Sequence, residues 1–233
     1  MIGIIGALEE EVIMLRQNMD IKSSSIIAGC EYNSGKLNDQ DIVITRCGMG
    51  KVNAASCTST MILKYAPDII INTGVGGSLD ENLKVYDIMI AEDVIQHDYN
   101  LVPLGYEAGQ VDCFSTPYMA CDQKVNQAIM KSTERLGYTA YFARFATGDQ
   151  FIDQPEDKKR ISKAFAARVC DMETGAIAQV CNLYGVRFSS IRTISDSTSG
   201  TDGSTQFQKF LKLASAHSVY VIEDLLKHTL NFR

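Results

Sequence analysis

The sequence predicts an α/β protein, a three-layer α/β/α sandwich around a central mixed, mostly parallel sheet. Two patterns and one placement lead there. Short apolar runs alternate with stretches of helical periodicity along the whole chain. The run at residues 68–72 (DIIIN) is apolar almost throughout rather than at every second residue, as a strand covered on both faces must be. Several runs end in glycines or acidic residues, at the carboxyl edge where open α/β sheets bind their ligands.

In chain order, residues 2–6 form a buried strand, and Gly6-Ala7 turns the chain into a helix opening with Glu9-Glu10-Glu11. Acidic residues suit a first helical turn because its N–H groups are exposed. The same junction can also mount a catalytic carboxylate. Residues 42–45 are a strand, followed by a turn at Gly48-Met49-Gly50-Lys51 and a helix over 52–65 with Ala54, Cys57 and Met61 inward. The 68–72 strand runs into Thr73-Gly74-Val75-Gly76-Gly77-Ser78, read as a glycine-rich turn that lets a ligand approach the backbone. It is neither GxGxxG nor a phosphate loop with its lysine.

Residues 87–92 are a strand, and 97–110 a polar, aromatic loop suited to a pocket wall or a subunit contact. His97 is expected as a satisfied structural histidine. Asp122 caps a helix through Leu136, and residues 138–146 are a strand leading to Thr147-Gly148-Asp149-Gln150-Phe151-Ile152. Phe151 is either a core anchor or a surface for a flat ring. Residues 167–170 are a short strand, Ile177, Val180, Cys181 and Tyr184 mark one face of a helix, and Gly185 ends it. The strand over 186–194 delivers Ser195-Asp196 to the carboxyl edge. Residues 197–204 (STSGTDGS) suit a lid, and Phe207, Phe210, Leu211, Ala214, Ser218, Val221, Ile222 and Leu225 mark a core stripe on a long last helix.

The 233 residues suit one domain over 1–233, with no composition shift to argue for two. With 22 basic against 28 acidic residues, nucleic-acid and acidic-membrane partners are not expected. The seven cysteines contain no CxxC pair, which argues for reduced thiols in a cytoplasmic protein and against a zinc site. The start lacks the basic region of a signal peptide. Glu173 precedes a helix and Asp196 heads a polar loop, so a cap and a turn-former are the ordinary readings. Together with Glu11 they also place three acids around one crevice. Acids, an aromatic platform and no metal motif point to acid–base cleavage of a polar small molecule.

In this order the chain carries IGIIGALEEEV, GMGKVNAA, INTGVGGSL with LKVYDI, HDYNLVPLGYEAGQ, TGDQFI, DMETGAIAQVC and IRTISD. Together these resemble the bacterial 5′-methylthioadenosine/S-adenosylhomocysteine nucleosidases of the nucleoside phosphorylase superfamily. The resemblance implies a nucleoside phosphorylase-like fold and a hydrolase that separates adenine from a 5′-thio-substituted ribose, with no cofactor or metal. Asp196 then matches the proton donor to purine N7, with Ser195 beside it, and Glu11 the group that deprotonates water. Glu173 matches the ribose-hydroxyl ligand, Met172 the sugar-packing residue, Phe151 the adenine-stacking ring and Ile152 the backbone that reads the adenine edge. Met49 and Phe207 align with the 5′-thio pocket, Arg192 with an arginine near the water, and Val75 and Gly76 with the glycine loop. Leu101, Leu104 and Tyr106 fall where a neighbouring subunit supplies a wall, which implies a homodimer.

The chain departs from the pattern at Asp171, where a longer Glu is usual, at Val75, at Ser78 and at Leu104. The rivals are a purine nucleoside phosphorylase, a nucleosidase for another adenine nucleoside such as 6-amino-6-deoxyfutalosine or 5′-deoxyadenosine, and a silent nucleoside binder. Related phosphorylases carry an arginine where this chain has Asn72.

Overall fold

The computed structural model describes residues 1–198 and 203–228. Of the stretch expected as a lid, residues 199–202 lie outside the described residues. The elements run β1 Ile2–Gly6, α1 Ile13–Gln17, β2 Asp20–Ile27, β3 Cys30–Leu37, β4 Gln40–Arg46, α2 Lys51–Tyr65, β5 Ile69–Ser78 and β6 Ile88–Gln96. They continue with β7 Met119–Ala120, α3 Gln123–Arg135, β8 Ala140–Thr147, α4 Pro155–Phe165, β9 Val169–Asp171, α5 Thr174–Tyr184, β10 Arg187–Asp196 and α6 Gly203–His228.

The strands form one mixed ten-stranded sheet. Parallel ladders join β4 to β1, β1 to β5, β5 to β10, β6 to β8 and β8 to β9. Antiparallel pairing adds the β2–β3–β4 meander and joins β10 to β6 and β9 to β5. Because β10 pairs with both β5 and β6, the strands β5, β10, β6, β8 and β9 close into a circuit at one end of the sheet.

Strand periodicity sorts the core onto two faces. Ile69 and Ile71 pack with Val125 and Ile129 of α3 and Val219, Ile222 and Leu225 of α6. Ile70, between them, packs with Ala54, Cys57 and Met61 of α2 and Ile177 and Cys181 of α5. Ile69, Ile70, Ile71 and Asn72 are thus all buried, which is why the run lacks polar alternation after the exposed Asp68. Helix signals behave as expected at two ends: the Asp122 side chain accepts from Val125 N at 3.0 Å, and Gly185 adopts φ 67° after α5.

Four expectations need correction. The glycine-rich stretch at 73–78 is not a turn, because β5 continues to Ser78 with β10 paired along it and Gly77 opposite Asp196. Glu9–Glu11 form a separate 3-10 turn rather than the start of a longer helix, and α1 covers only Ile13–Gln17. His97 is buried, yet its Nε2 has no hydrogen-bond partner among the described residues. In the last helix the buried stripe begins at Ala214, while Phe207 faces the cleft described next and Phe210 packs edge-on against Tyr86.

Candidate active site

One cleft collects most of the candidate residues. Its wall includes Glu11, Met49, Val75, Gly76, Phe151, Ile152, Asp171, Met172, Glu173, Ser195, Asp196 and Phe207. The acids sit at the carboxyl ends of three strands: Glu11 in the turn after β1, Glu173 two residues past β9, and Asp196 at the last position of β10. Glu11 and Asp196 therefore open onto a common space, which a shared reaction centre requires. Arg192 is not part of the wall. Leu101, Leu104 and Tyr106 are also absent from it, and Leu104 is 72% exposed.

Glu11 is held by backbone. Its Oε2 accepts from Ala7 N at 2.6 Å and Leu8 N at 2.9 Å, and its Oε1 from Val75 N at 3.1 Å. The 3-10 turn makes this possible by folding the third glutamate back over the strand end, which leaves Glu9 and Glu10 outside. A Cβ on Gly74 would overlap the same carboxylate, so the β5 glycine is what admits Glu11 to the sheet edge. Burial pushes the Glu11 carboxyl up, against the pull of Arg192 and the three N–H groups.

Glu173 stands at the N-cap position of α5 without capping it. Its Oε1 accepts instead from Gly50 N at 2.8 Å, across the cleft from the start of α2. The side chain is therefore not spent as the helix cap and stands on the cleft wall. Lys51 N donates to Asp149 Oδ1 at 2.7 Å and Lys51 Nζ to Asp98 Oδ1 at 2.6 Å, so the Gly50 turn is anchored to the loop that carries Phe151.

Behind Glu173 lies a buried polar network. Arg192 Nη2 reaches Asp171 Oδ2 at 2.9 Å, Asn72 Oδ1 at 2.7 Å and Thr174 Oγ1 at 2.9 Å, with Glu173 Oε2 at 3.8 Å. Asp171 also accepts from Thr147 Oγ1 at 2.5 Å and from Thr174 Oγ1. The shorter acid at 171 thus serves as the counter-ion of Arg192. Burial and then the Asp171 charge push the Glu173 carboxyl up to about 8, with Arg192 opposing them.

A pH prediction follows from this group. The unfolded value is 4.5 and the folded value is about 8. The folded state therefore binds the extra proton, and this contribution to stability is full below 4.5 and fades as pH rises through 8. Glu173→Gln should be more stable than the parent at pH 8 by on the order of a few kcal/mol relative to the difference at pH 4.5. Urea midpoints at the two pH values test it, and an equal difference at both would refute the assignment.

On the opposite side, Phe151 is 48% exposed and meets Phe207 edge to face at 5.5 Å between centroids. Phe151 is therefore no core anchor, and an aromatic corner is left open to a flat ring. Asp196 Oδ1 accepts from Ser195 Oγ at 3.2 Å, and Oδ2 from the Nζ of Lys158. Burial raises the Asp196 carboxyl while Lys158 pulls it down. Lys158 escaped the sequence reading along with the whole of α4. Its signal was present: Pro155 and two acids at a helix start, then Ile161 and Phe165 one turn apart on one face. Among the described residues no group of three or more His, Cys, Asp and Glu is placed to hold a metal ion, and no helix is long and apolar enough to cross a membrane.

The phosphorylase superfamily model matches residues 1–227. The 5′-methylthioadenosine/S-adenosylhomocysteine nucleosidase of Staphylococcus aureus strain MRSA252 is 40% identical over 230 residues, covering 97% of this chain and 99% of that protein. The chain belongs to the 5′-methylthioadenosine/S-adenosylhomocysteine nucleosidase family of the phosphorylase superfamily. Solved nucleosidases agree in fold. The Neisseria meningitidis enzyme in complex with methylthio-immucillin-A superposes with a TM-score of 0.94 at 31% identity, covering 98% of this chain and 99% of that one. The Colwellia psychrerythraea enzyme in complex with adenine gives 0.92 at 33%, covering 97% and 93%. These matches bear out the fold class and the family resemblance read from the sequence.

Proposed function

We propose that this nucleosidase-family protein hydrolyses the N-glycosidic bond of 5′-methylthioadenosine and S-adenosylhomocysteine, releasing adenine and the 5′-thio-substituted ribose. The observation that carries hydrolysis over phosphorolysis is the charge of the cleft. Among the described residues its wall bears Glu11, Asp171, Glu173 and Asp196 and no lysine or arginine. Inorganic phosphate would meet carboxyl groups there and no cation on the wall to hold it, since Lys158 and Arg192 lie behind the wall, already paired with Asp196 and Asp171.

Phe151 stacks on adenine and the Ile152 backbone reads its edge. Asp196 gives its proton to N7, so the purine leaves as a neutral base while the ribose becomes oxocarbenium-like. Glu173 holds the 2′- and 3′-hydroxyls, and Met172 packs on the sugar. Glu11 takes a proton from the attacking water, whose oxygen bonds to the anomeric carbon. Arg192, behind Glu173, keeps this acid-rich side of the cleft from accumulating charge. Met49 and Phe207 flank the 5′-thio group.

A homodimer completes the pocket in this reading. Leu101, Leu104 and Tyr106 lie outside their own cleft, and Val102 and Leu104 are 50% and 72% exposed, which suits a wall lent to a second copy. The test is incubation with methylthioadenosine in phosphate-free buffer, with adenine and free sugar followed by chromatography. Adenine should appear at the same rate without phosphate. Release only after phosphate is added would make the protein a phosphorylase, and no release in either buffer would leave a binder.

A further inference from the structure

Helix α4 brings a cation to the leaving-group side of the cleft. Lys158 is 2% exposed, and its Nζ donates to Asp196 Oδ2 and, at 3.0 Å, to the Ser197 carbonyl. Its helix neighbours Ile161 and Phe165 sit in an apolar cluster with Ile152 and Cys170. Packing alone would be served there by a methionine, whereas a buried ammonium loses its hydration and is stable only when matched. The match is the proposed acid.

Among the described residues the other groups facing Asp196 do not supply that charge. Cys170 on β9 is a thiol that burial pushes up to about 12. Asp153, ahead of α4, is a like charge, tied to Gly203 N at the start of α6 at 2.8 Å. Ser195 on β10 offers a neutral hydroxyl. Of these groups Lys158 alone is cationic.

We propose that Lys158 is the positioning residue of the leaving-group acid, pinning the Asp196 carboxyl at the end of β10 and setting the pH at which it gives up its proton. The inference rests on Asp196 being that acid. A carboxyl buried without a counter-ion holds its proton too tightly to transfer it well, since proton transfer is most efficient when the donor titrates near the working pH. Lys158 brings Asp196 back toward that range without touching substrate.

The test needs two readouts on the folded dimer or monomer as isolated. One is the titration of the Asp196 carboxyl by carbon NMR without substrate, assigned by its loss in Asp196→Asn. The other is the alkaline limb of kcat/KM for methylthioadenosine. In Lys158→Met both should move up by about one pH unit or more, while Lys158→Arg should overlay the parent. A Met variant whose titration and limb coincide with the parent's would overturn the proposal whatever its rate, because a packing role lowers turnover equally at every pH. An Arg variant displaced as far as the Met variant would also overturn it. If the Met protein does not fold, Lys158→Gln is read by the same criteria. A parent protein that releases no adenine would remove the nucleosidase reading while leaving the substrate-free titration intact, so the two failures are distinct.

Discussion

Asp196→Asn should lower kcat for methylthioadenosine by on the order of 10³-fold while adenine nucleosides still bind. The amide keeps the shape of the side chain and can still accept at Oδ1 from Ser195 Oγ, now 3.2 Å away, but it has no proton to give to N7. The departing purine then leaves as an anion, and the barrier rises accordingly. The substitution also strands the Lys158 ammonium, leaving it the Ser197 carbonyl at 3.0 Å. Removing one member of a buried pair is strongly destabilising. The melting temperature should therefore fall, and turnover has to be measured well below it, with binding of the nucleoside followed separately by calorimetry. Turnover within tenfold of the parent would show that the proton comes from elsewhere.

The second large effect is expected at Glu11. Glu11→Gln removes the proposed proton acceptor for water, which should cost on the order of 10² to 10³ in kcat. Both carboxylate oxygens accept from backbone N–H groups, of Ala7 and Leu8 on one side and Val75 on the other. The amide nitrogen must therefore face a donor whichever way it turns, and some loss of stability accompanies the loss of rate. The pH profile separates the two. Burial raises the Glu11 carboxyl, so the parent's activity should fall, as pH drops, at a pH above the ordinary glutamate value of 4.5. The residual activity of the Gln variant should lack that acid limb, and a limb unchanged in position would assign it to another group, with Glu173 the first to examine.

These predictions draw on features of unequal legibility. The strands β1, β4, β5, β6 and β10 stand out in sequence because both of their faces are covered, which leaves long apolar runs. The β2–β3 hairpin does not, since β2 is solvated on almost every residue and its turn is Ala28-Gly29, at φ 49° and 79°, without an asparagine to announce it. Helix α4 hides for a related reason: of its buried residues Lys158, Ile161 and Phe165, the first is a cation that reads as surface. Glycines at 74, 76 and 77 suggest a turn locally, and only the distant β10 makes them a strand.

The candidate site divides in the same way. The acids were visible as residues at strand ends, but the choice of Glu11 over its two neighbours came from family resemblance. Its physical ground includes the reach of the Glu11 carboxylate to Val75 N on β5, which is a tertiary fact. The helical stripe pointed Phe207 at the core, where the structure has it on the cleft against Phe151. Partners far apart in sequence, Gly50 with Glu173 and Lys158 with Asp196, leave no trace in any local pattern.

The strand circuit bears on how the molecule is made. Translation delivers β10 after every other strand, yet its place is between β5 and β6. A nascent chain therefore carries two apolar strands whose shared neighbour has not been synthesised, and they stay vulnerable to mispairing until residue 196 clears the ribosome. The tip of that final seam is Asp196 itself, so an unfinished polypeptide lacks both a closed core and the proposed proton donor.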